Sequence, residues 1–356
     1  MVRRAAAVGL AALILSLAVT GCSGTSTSGS GTFQATGSMI AARRFHTATL
    51  LADGRVLIAG GYLYSTAELY DPTSGTFTRT GAMSINRYWH TSTLLKSGLV
   101  LIAGGLSDGG PVSSAELYDP ATGSFTPTGS MTVARWQHTA TLLQDGRVLI
   151  AGGAGASAEI YDPATGKFTA TGSMSAPRWQ HTATLLADGR VLLAGGGDNG
   201  GFTTSAELFD PKTGTFSATG PLSTARYRHN ATLLPGGLVL LSGGFTPDNK
   251  AAMGDLYESN TGKFTAVGPV AGSTAYGAAV ALSDGRVLIV GGFGGNSGAV
   301  SSAEIYNPNT SSFTATGSLI TGREAHTATT LSDGRVLVTG GTTGSGDLAS
   351  AEIYQP

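Results

Sequence analysis

The sequence predicts an all-β fold, a seven-bladed β-propeller. Three observations carry that expectation. One stretch, clearest from Arg178 to Gly196, occurs seven times. The repeats begin at Gly31, Gly75, Gly123, Gly166, Gly214, Gly262 and Ser311, a spacing of 43 to 49 residues. Each repeat holds four short strand-like segments, and four antiparallel strands repeated radially make a propeller blade.

The elements follow in order, taken from one copy. Phe168 to Thr171 is the first segment. His181 to Leu186 is the second, with Thr, Ala and Leu alternating. Arg190 to Ala194 is the third, almost wholly apolar, and Ala206 to Phe209 is the fourth. Asp-Gly joins two of them at Asp53, Asp145, Asp188, Asp284 and Asp333. That pair is a strong hairpin signal, read here as a turn with positive φ at both central residues. The two other copies keep Gly98 and Gly236. A second turn, Asp-Pro-x-Thr/Ser-Gly, recurs at Asp71, Asp119, Asp162 and Asp210. Pro presets its φ and the final Gly takes the left-handed position. Gly-Gly after the apolar strand, from Gly60-Gly61 to Gly340-Gly341, admits close backbone approach.

The chain opens on a lone strand at Phe33 and closes on Tyr354 without the strand that should follow. The opening strand is therefore expected to complete the last blade and remove both exposed edges. Seven copies predict seven blades.

Gly-Gly, the Tyr of the next strand and a following aromatic resemble the kelch repeat. The Tyr is Tyr70, Tyr118, Tyr161, Tyr257, Tyr306 and Tyr354, with Phe209 once. The last aromatic is Phe at all seven positions, Phe33 to Phe313, where kelch units usually carry Trp. The Asp-Gly-Arg-Val-Leu wording is most similar to the kelch blades of galactose-oxidase-like proteins, and the resemblance covers residues 31 to 356. It implies a copper held by His and Tyr, with a cofactor made by linking Cys to Tyr. The only cysteine is Cys22 and no His lies outside the repeat position, so that cofactor cannot form and none is expected. Neither a Ser-His-Asp set nor paired carboxylates can be picked out. Asp108, Asp198, Asp248 and Asp347 lie on variable loops and are read as solvated.

Residues 1–21 are of another kind. Arg3 and Arg4 precede an apolar run from Ala5 to Val19, too short for a comfortable span and suited to an export signal. Val19-Thr20-Gly21-Cys22 resembles a bacterial lipobox, with Val19 where Leu is usual. Cys22 is expected to carry lipid, and residues 22–31, rich in Ser, Gly and Thr, to form a flexible linker. Residues 32–356 are the expected propeller. The expectation is a monomer anchored to the cell membrane, or to the outer membrane if there is one. With 21 basic and 22 acidic residues no basic patch points to nucleic acid.

Alternating strand direction puts the Asp-Gly and Asp-Pro turns on one uniform face. The Arg-x-x-His segments and the loops after Gly-Gly fall on the other, variable face, which suits binding. The six histidines, His46, His90, His138, His181, His229 and His326, share one repeat position and are read as locally satisfied frame, not metal ligands. The repeated Arg43, Arg87, Arg135, Arg178, Arg226 and Arg323 are expected to pair with the repeated acids Glu68, Glu116, Glu159, Glu207, Glu304 and Glu352, with Asp255 once.

The two positions between Arg and His vary most. The first of each pair, Trp136 and Trp179 among them, is expected to wedge between blades as core. In peptide-binding kelch proteins the second projects into the ligand face. Carried over, that gives Phe45, Trp89, Gln137, Gln180, Arg228, Tyr276 and Ala325 as candidates for contact with a glycan, peptide or protein. The sixth copy breaks the pattern, with Thr274 for Arg and Gly277 for His. The fifth is altered at Gly254-Asp255 and at Glu258-Ser259-Asn260. Erosion of the repeat is the favoured reading. The alternative is a site around Arg228, Tyr276 and the loops Phe245–Met253 and Phe293–Ser302. The expected function is a non-catalytic binding module. The alternatives are a carbohydrate-active hydrolase, lyase or oxidase, and an envelope scaffold.

Overall fold

The computed structural model describes residues 31–198, 201–247, 253–270 and 275–356. The expected leader, Cys22 and the linker up to residue 30 lie outside the described residues, as do Thr274 and Asp248. Gly31–Pro356 forms one compact unit. It holds seven four-stranded antiparallel sheets. In blade four the strands are Thr182–Leu185, Val191–Ala194, Ala206–Asp210 and Thr215–Ala218, ordered from the inside outward. They match the expected segments to within about a residue.

The ring closes as expected. Thr32–Ala35 pairs antiparallel with Ala351–Gln355, in the register Thr32↔Gln355 and Phe33↔Tyr354. Blade seven is thus built from both ends of the chain. In every blade the outer strand comes from the next sequence repeat.

The core lies between blades. The second strand of each blade is buried, wholly so in Val56–Ala59 and Val148–Ala151 and in all but Leu238 of Leu238–Ser242. Its alternate residues face opposite neighbours. Leu57 and Ala59 pack with Val100 and Ile102 of blade two, whereas Val56 and Ile58 pack with Leu337 and Ile353 of blade seven. A strand buried on both faces reads as a continuous apolar run, which is why this segment showed no alternation.

The Asp-Gly turns differ from the expectation in one respect. Gly54 has φ +87° and Gly334 φ +86°, but neither Asp53 nor Asp333 adopts positive φ. Leu51 and Arg55 close a five-residue loop instead, with Leu51 N–H donating to Arg55 O at 2.8 Å. The Asp carboxylate accepts the Arg55 N–H at 3.0 Å and pairs with its guanidinium at 2.6 Å, so the side chain caps the turn. That guanidinium also reaches the carbonyl of Pro120 in blade two at 3.2 Å. Arg335 does the same to Pro72 of blade one at 3.0 Å. The Asp-Pro turns match the reading, with Gly75 at φ +68° and Thr73 N–H on Asp71 Oδ1 at 2.8 Å.

Candidate functional site: a cavity on the propeller axis

In six of the seven blades the approach to the inner strand is held by a buried ion pair within the blade. Arg43 and Glu68 meet at 2.7 Å, Arg87 and Glu116 at 2.8 Å, Arg135 and Glu159 at 2.7 Å, Arg226 and Asp255 at 3.0 Å, and Arg323 and Glu352 at 2.7 Å. The Arg178–Glu207 pair is wider, at 4.0 Å, and Ser175 takes the Glu207 carboxylate there. The other guanidinium nitrogen spans two strands: Arg43 Nη1 donates to Gly60 O and Thr66 O, both at 2.8 Å. Glu68 also accepts the Ile40 N–H at 2.7 Å. The pairing expected from sequence is present, and it fixes the segment that carries the two variable positions.

The second variable position has one conformation in all seven blades. Phe45, Trp89, Gln137, Gln180, Arg228, Tyr276 and Ala325 have φ between +52° and +57°. Non-glycine residues rarely sit in this left-handed region, and runs of strain of this kind collect at functional sites. All but the Tyr276 N–H donate to the carbonyl of the equivalent residue one blade back. Phe45 N–H reaches Ala325 O at 3.1 Å, Gln137 reaches Trp89 O at 3.1 Å, and Arg228 reaches Gln180 O at 3.0 Å. Six of the seven possible links of this ring form among the described residues.

One residue on, five of the six histidines reach the previous blade. Nε2 of His90, His138, His181 and His229 bonds to Thr47, Thr91, Thr139 and Thr182, at 2.9–3.1 Å. His46 bonds to both Thr327 and Thr339, each at 3.1 Å. The histidines were expected to be satisfied locally, but these hydroxyl partners lie across the blade boundary. Burial, then the charge of the adjacent Arg, holds His46, His138 and His181 at about 3. His326 is also at about 3. These rings stay neutral at physiological pH.

Phe45, Trp89, Gln137, Gln180, Arg228, Tyr276 and Ala325 together line one cavity of about 310 Å³ on the axis, with the histidines, Asn230 and Gly277. All seven residues singled out from the sequence therefore come together. One side is aromatic: Phe45 lies 4.8 Å from Trp89 and 5.7 Å from Tyr276, centroid to centroid. The other side is polar. The Arg228 guanidinium lies 3.7 Å over the Tyr276 ring, and its Nε donates to Gln180 Oε1 at 2.6 Å. Burial lowers the Arg228 pKa to about 10, so it remains charged at neutral pH. Among the described residues its Nη groups have no hydrogen-bond partner.

The first variable position is core only at Ala275. Trp136 and Trp179 are half-buried on the same face. They do lean on neighbours, Trp136 on Trp89 at 5.3 Å and Trp179 on Tyr227 at 5.4 Å. The reason is the left-handed residue that follows, which turns the chain and breaks strand parity. Phe202, Tyr227 and Phe245 stack in series at 4.6 and 5.3 Å. Phe202 and Phe245 come from loops after Gly-Gly, which vary too much between copies to align. Asp108 accepts from Asn86 at 2.9 Å and Asp347 pairs with Arg44 at 3.0 Å, so neither joins the cavity. The side chain of Asp198 lies outside the described residues.

Residues 274–319 match the family model described as the Kelch motif. This is a kelch-type propeller. The match covers the sixth repeat, which keeps Gly291-Gly292, Tyr306 and Phe313 although it has lost its Arg and His. No curated protein matches the sequence significantly. Among solved structures, the kelch propeller is similar to a fungal alcohol oxidase of the AA5 family in complex with copper. The TM-score is 0.77 at 17% identity, over 92% of this chain and 76% of that one. The likeness is one of fold.

The residues here do not fit the copper implied by the galactose-oxidase resemblance. Five His Nε2 atoms are engaged by Thr hydroxyls of the preceding blade. Tyr276 is the one tyrosine lining the cavity. Among the described residues no three His, Cys, Asp or Glu side chains converge.

Proposed function

We propose that this kelch propeller is a binding module that reads its ligand in the axial cavity. The convergence of seven left-handed residues on one cavity carries the reading: the backbone is uniform and strained there, while the side chains differ in nearly every blade. Phe45, Trp89 and Tyr276 offer flat apolar surface, and Gln137, Gln180 and Arg228 offer hydrogen bonds and one positive charge. A peptide segment with an acidic or carbonyl-rich group suits that set, since few well-placed polar groups among aromatic planes set orientation. We further propose that Cys22 is lipidated and holds the module at a membrane. The apolar run from Ala5 to Val19 and the single cysteine support this.

The test is a peptide and glycan array with residues 23–356. Peptide binding should fall at least tenfold in Trp89→Ala and in Arg228→Ala. Glycan hits with the same sensitivity would change the ligand class. Binding that survives both variants would move the site off the axis. Cys22→Ala in the full chain should shift the protein from membrane to soluble fractions.

A carbohydrate-active enzyme on the same scaffold is the second reading. Glu324 favours it: its carboxyl is half-buried beside the cavity, and burial raises its pKa despite Arg228 and Arg44. Turnover of oligosaccharides that is lost in Glu324→Gln would establish it.

A further inference from the structure

The sixth blade lacks an imidazole that every other blade has. At the other boundaries a His stands at the start of the inner strand, with Nε2 on a hydroxyl of the preceding blade. Blade seven is the exception, for reasons given below. At the boundary of blades five and six that position is Gly277, which lines the axial cavity.

The facing wall on blade five is polar. Asn230 and Ser242 are cross-strand partners, in the same register as Thr327 and Thr339 of blade seven. In blade seven those two hydroxyls hold the His46 ring, each at 3.1 Å. Ser242 is thus the hydroxyl placed to hold a ring at position 277. It is 1% exposed, and its Oγ has no hydrogen-bond partner. Asn230 Nδ2 donates to Gly277 O at 3.3 Å, which leaves Oδ1 as an acceptor.

Simple erosion does not account for Ser242. Blades one to four carry Ala59, Ala103, Ala151 and Ala194 at its position. The other hydroxyl at this position, Thr339, holds the His46 ring, and Ser242 stands at the one boundary from which the imidazole is missing. The next boundary shows what loss without replacement looks like. There Ala278 and Val290 occupy the register of Thr327 and Thr339, and His326 Nε2 is left without a partner.

We propose that the step between Ser242, Asn230 and Gly277 is a subsite for an imidazole supplied by the ligand, such as the histidine side chain of a peptide. The ring would take the place of the missing repeat histidine, with a nitrogen on Ser242 Oγ, as His46 uses Thr339. The rest of the peptide would lie in the axial cavity toward Arg228 and Tyr276. This rests on the cavity being the binding site proposed above, and it names the side chain that the site selects.

The probe is 4-methylimidazole, titrated into the full propeller at pH 8 and followed by backbone amide NMR. Saturable shifts at Asn230, Ser242 and Gly277 are expected, with a Kd of about 1 mM. Gly277→His supplies the chain's own ring and should abolish them. Ser242→Ala should weaken binding at least threefold. Absence of saturable shifts in the wild type, as for a niche filled by water, overturns the proposal. An unchanged titration in Gly277→His overturns it too. Array binding without azole shifts would remove the subsite alone. Azole shifts without array binding would leave the subsite standing and remove the peptide reading.

Discussion

At the scale of single residues, the least expected feature is the left-handed backbone at seven non-glycine positions. Each costs about 1–2 kcal/mol relative to an ordinary helical or extended residue, and the ring of N–H to carbonyl bonds around the axis holds all of them in place. The position itself was legible, because Arg and His bracket it in most copies. Its conformation was not, because Phe, Trp, Gln, Arg, Tyr and Ala carry no left-handed signal as Gly or Asn would. The effect can be isolated at Gln137, whose side chain makes no intramolecular hydrogen bond among those found. Gln137→Val should lower stability by about 1–2 kcal/mol, since a β-branched residue suffers most there. Gln137→Asn should stay within about 0.5 kcal/mol. Equal urea midpoints for the two variants would show that the backbone, not the residue, absorbs the cost.

At the scale of the blade, the Arg–Glu pair joins the approach segment, the Gly-Gly carbonyl and the third strand. Its presence followed from two matched charge sets in a chain with only 12% charged residues. Removing one partner strands the other in the core. Arg135→Ala should therefore cost about 3–5 kcal/mol, with Glu159 left buried, and the loss should show in chemical denaturation. A drop below about 1 kcal/mol would mean that the Glu159 carboxylate finds water or a proton instead. The His–Thr bonds were harder to foresee. Each partner lies 42 to 47 residues away in the four regular cases, about one repeat. Periodicity hides such a bond, because every repeat contains both partners and nothing says which copy of the Thr is used. The Asp-Gly turn was placed correctly but assigned the wrong φ at Asp, because its carboxylate pairs with the Arg two residues on.

At the scale of the whole molecule, the six histidines titrate against the fold. Their folded values are depressed, to about 3 in four of them, from 6.5 when free. The unfolded chain therefore binds more protons between those limits. Stability is complete above pH 6.5 and falls as the pH drops toward 3, by about 1.4 kcal/mol per pH unit for each fully differential histidine. The melting temperature should be level above pH 7 and decline steeply below pH 6, with protons taken up on unfolding. A level profile down to pH 4 would show that the rings are charged in the folded state. Among the described residues, blade six lacks one tie of the repeat: Val267 stands where the other repeats have a Thr, so Tyr306 Oη lacks the Thr hydroxyl that Tyr70, Tyr118 and Tyr161 bind. That irregularity was visible in the sequence as a broken repeat, but which polar groups it orphaned depended on cross-blade contacts.

The strand at Thr32–Ala35 also sets an order on synthesis. Six blades are assembled from nearby hairpins and can form as the polypeptide emerges. The seventh needs Ala351–Gln355, which follow all six other blades in the sequence. Until those residues are made, the first strand has no partner and the growing stack has two open edges. The slowest contact to form is then the one that circularises the molecule. A prematurely terminated product would lack that closure and carry sticky ends, which marks it for proteolysis or self-association.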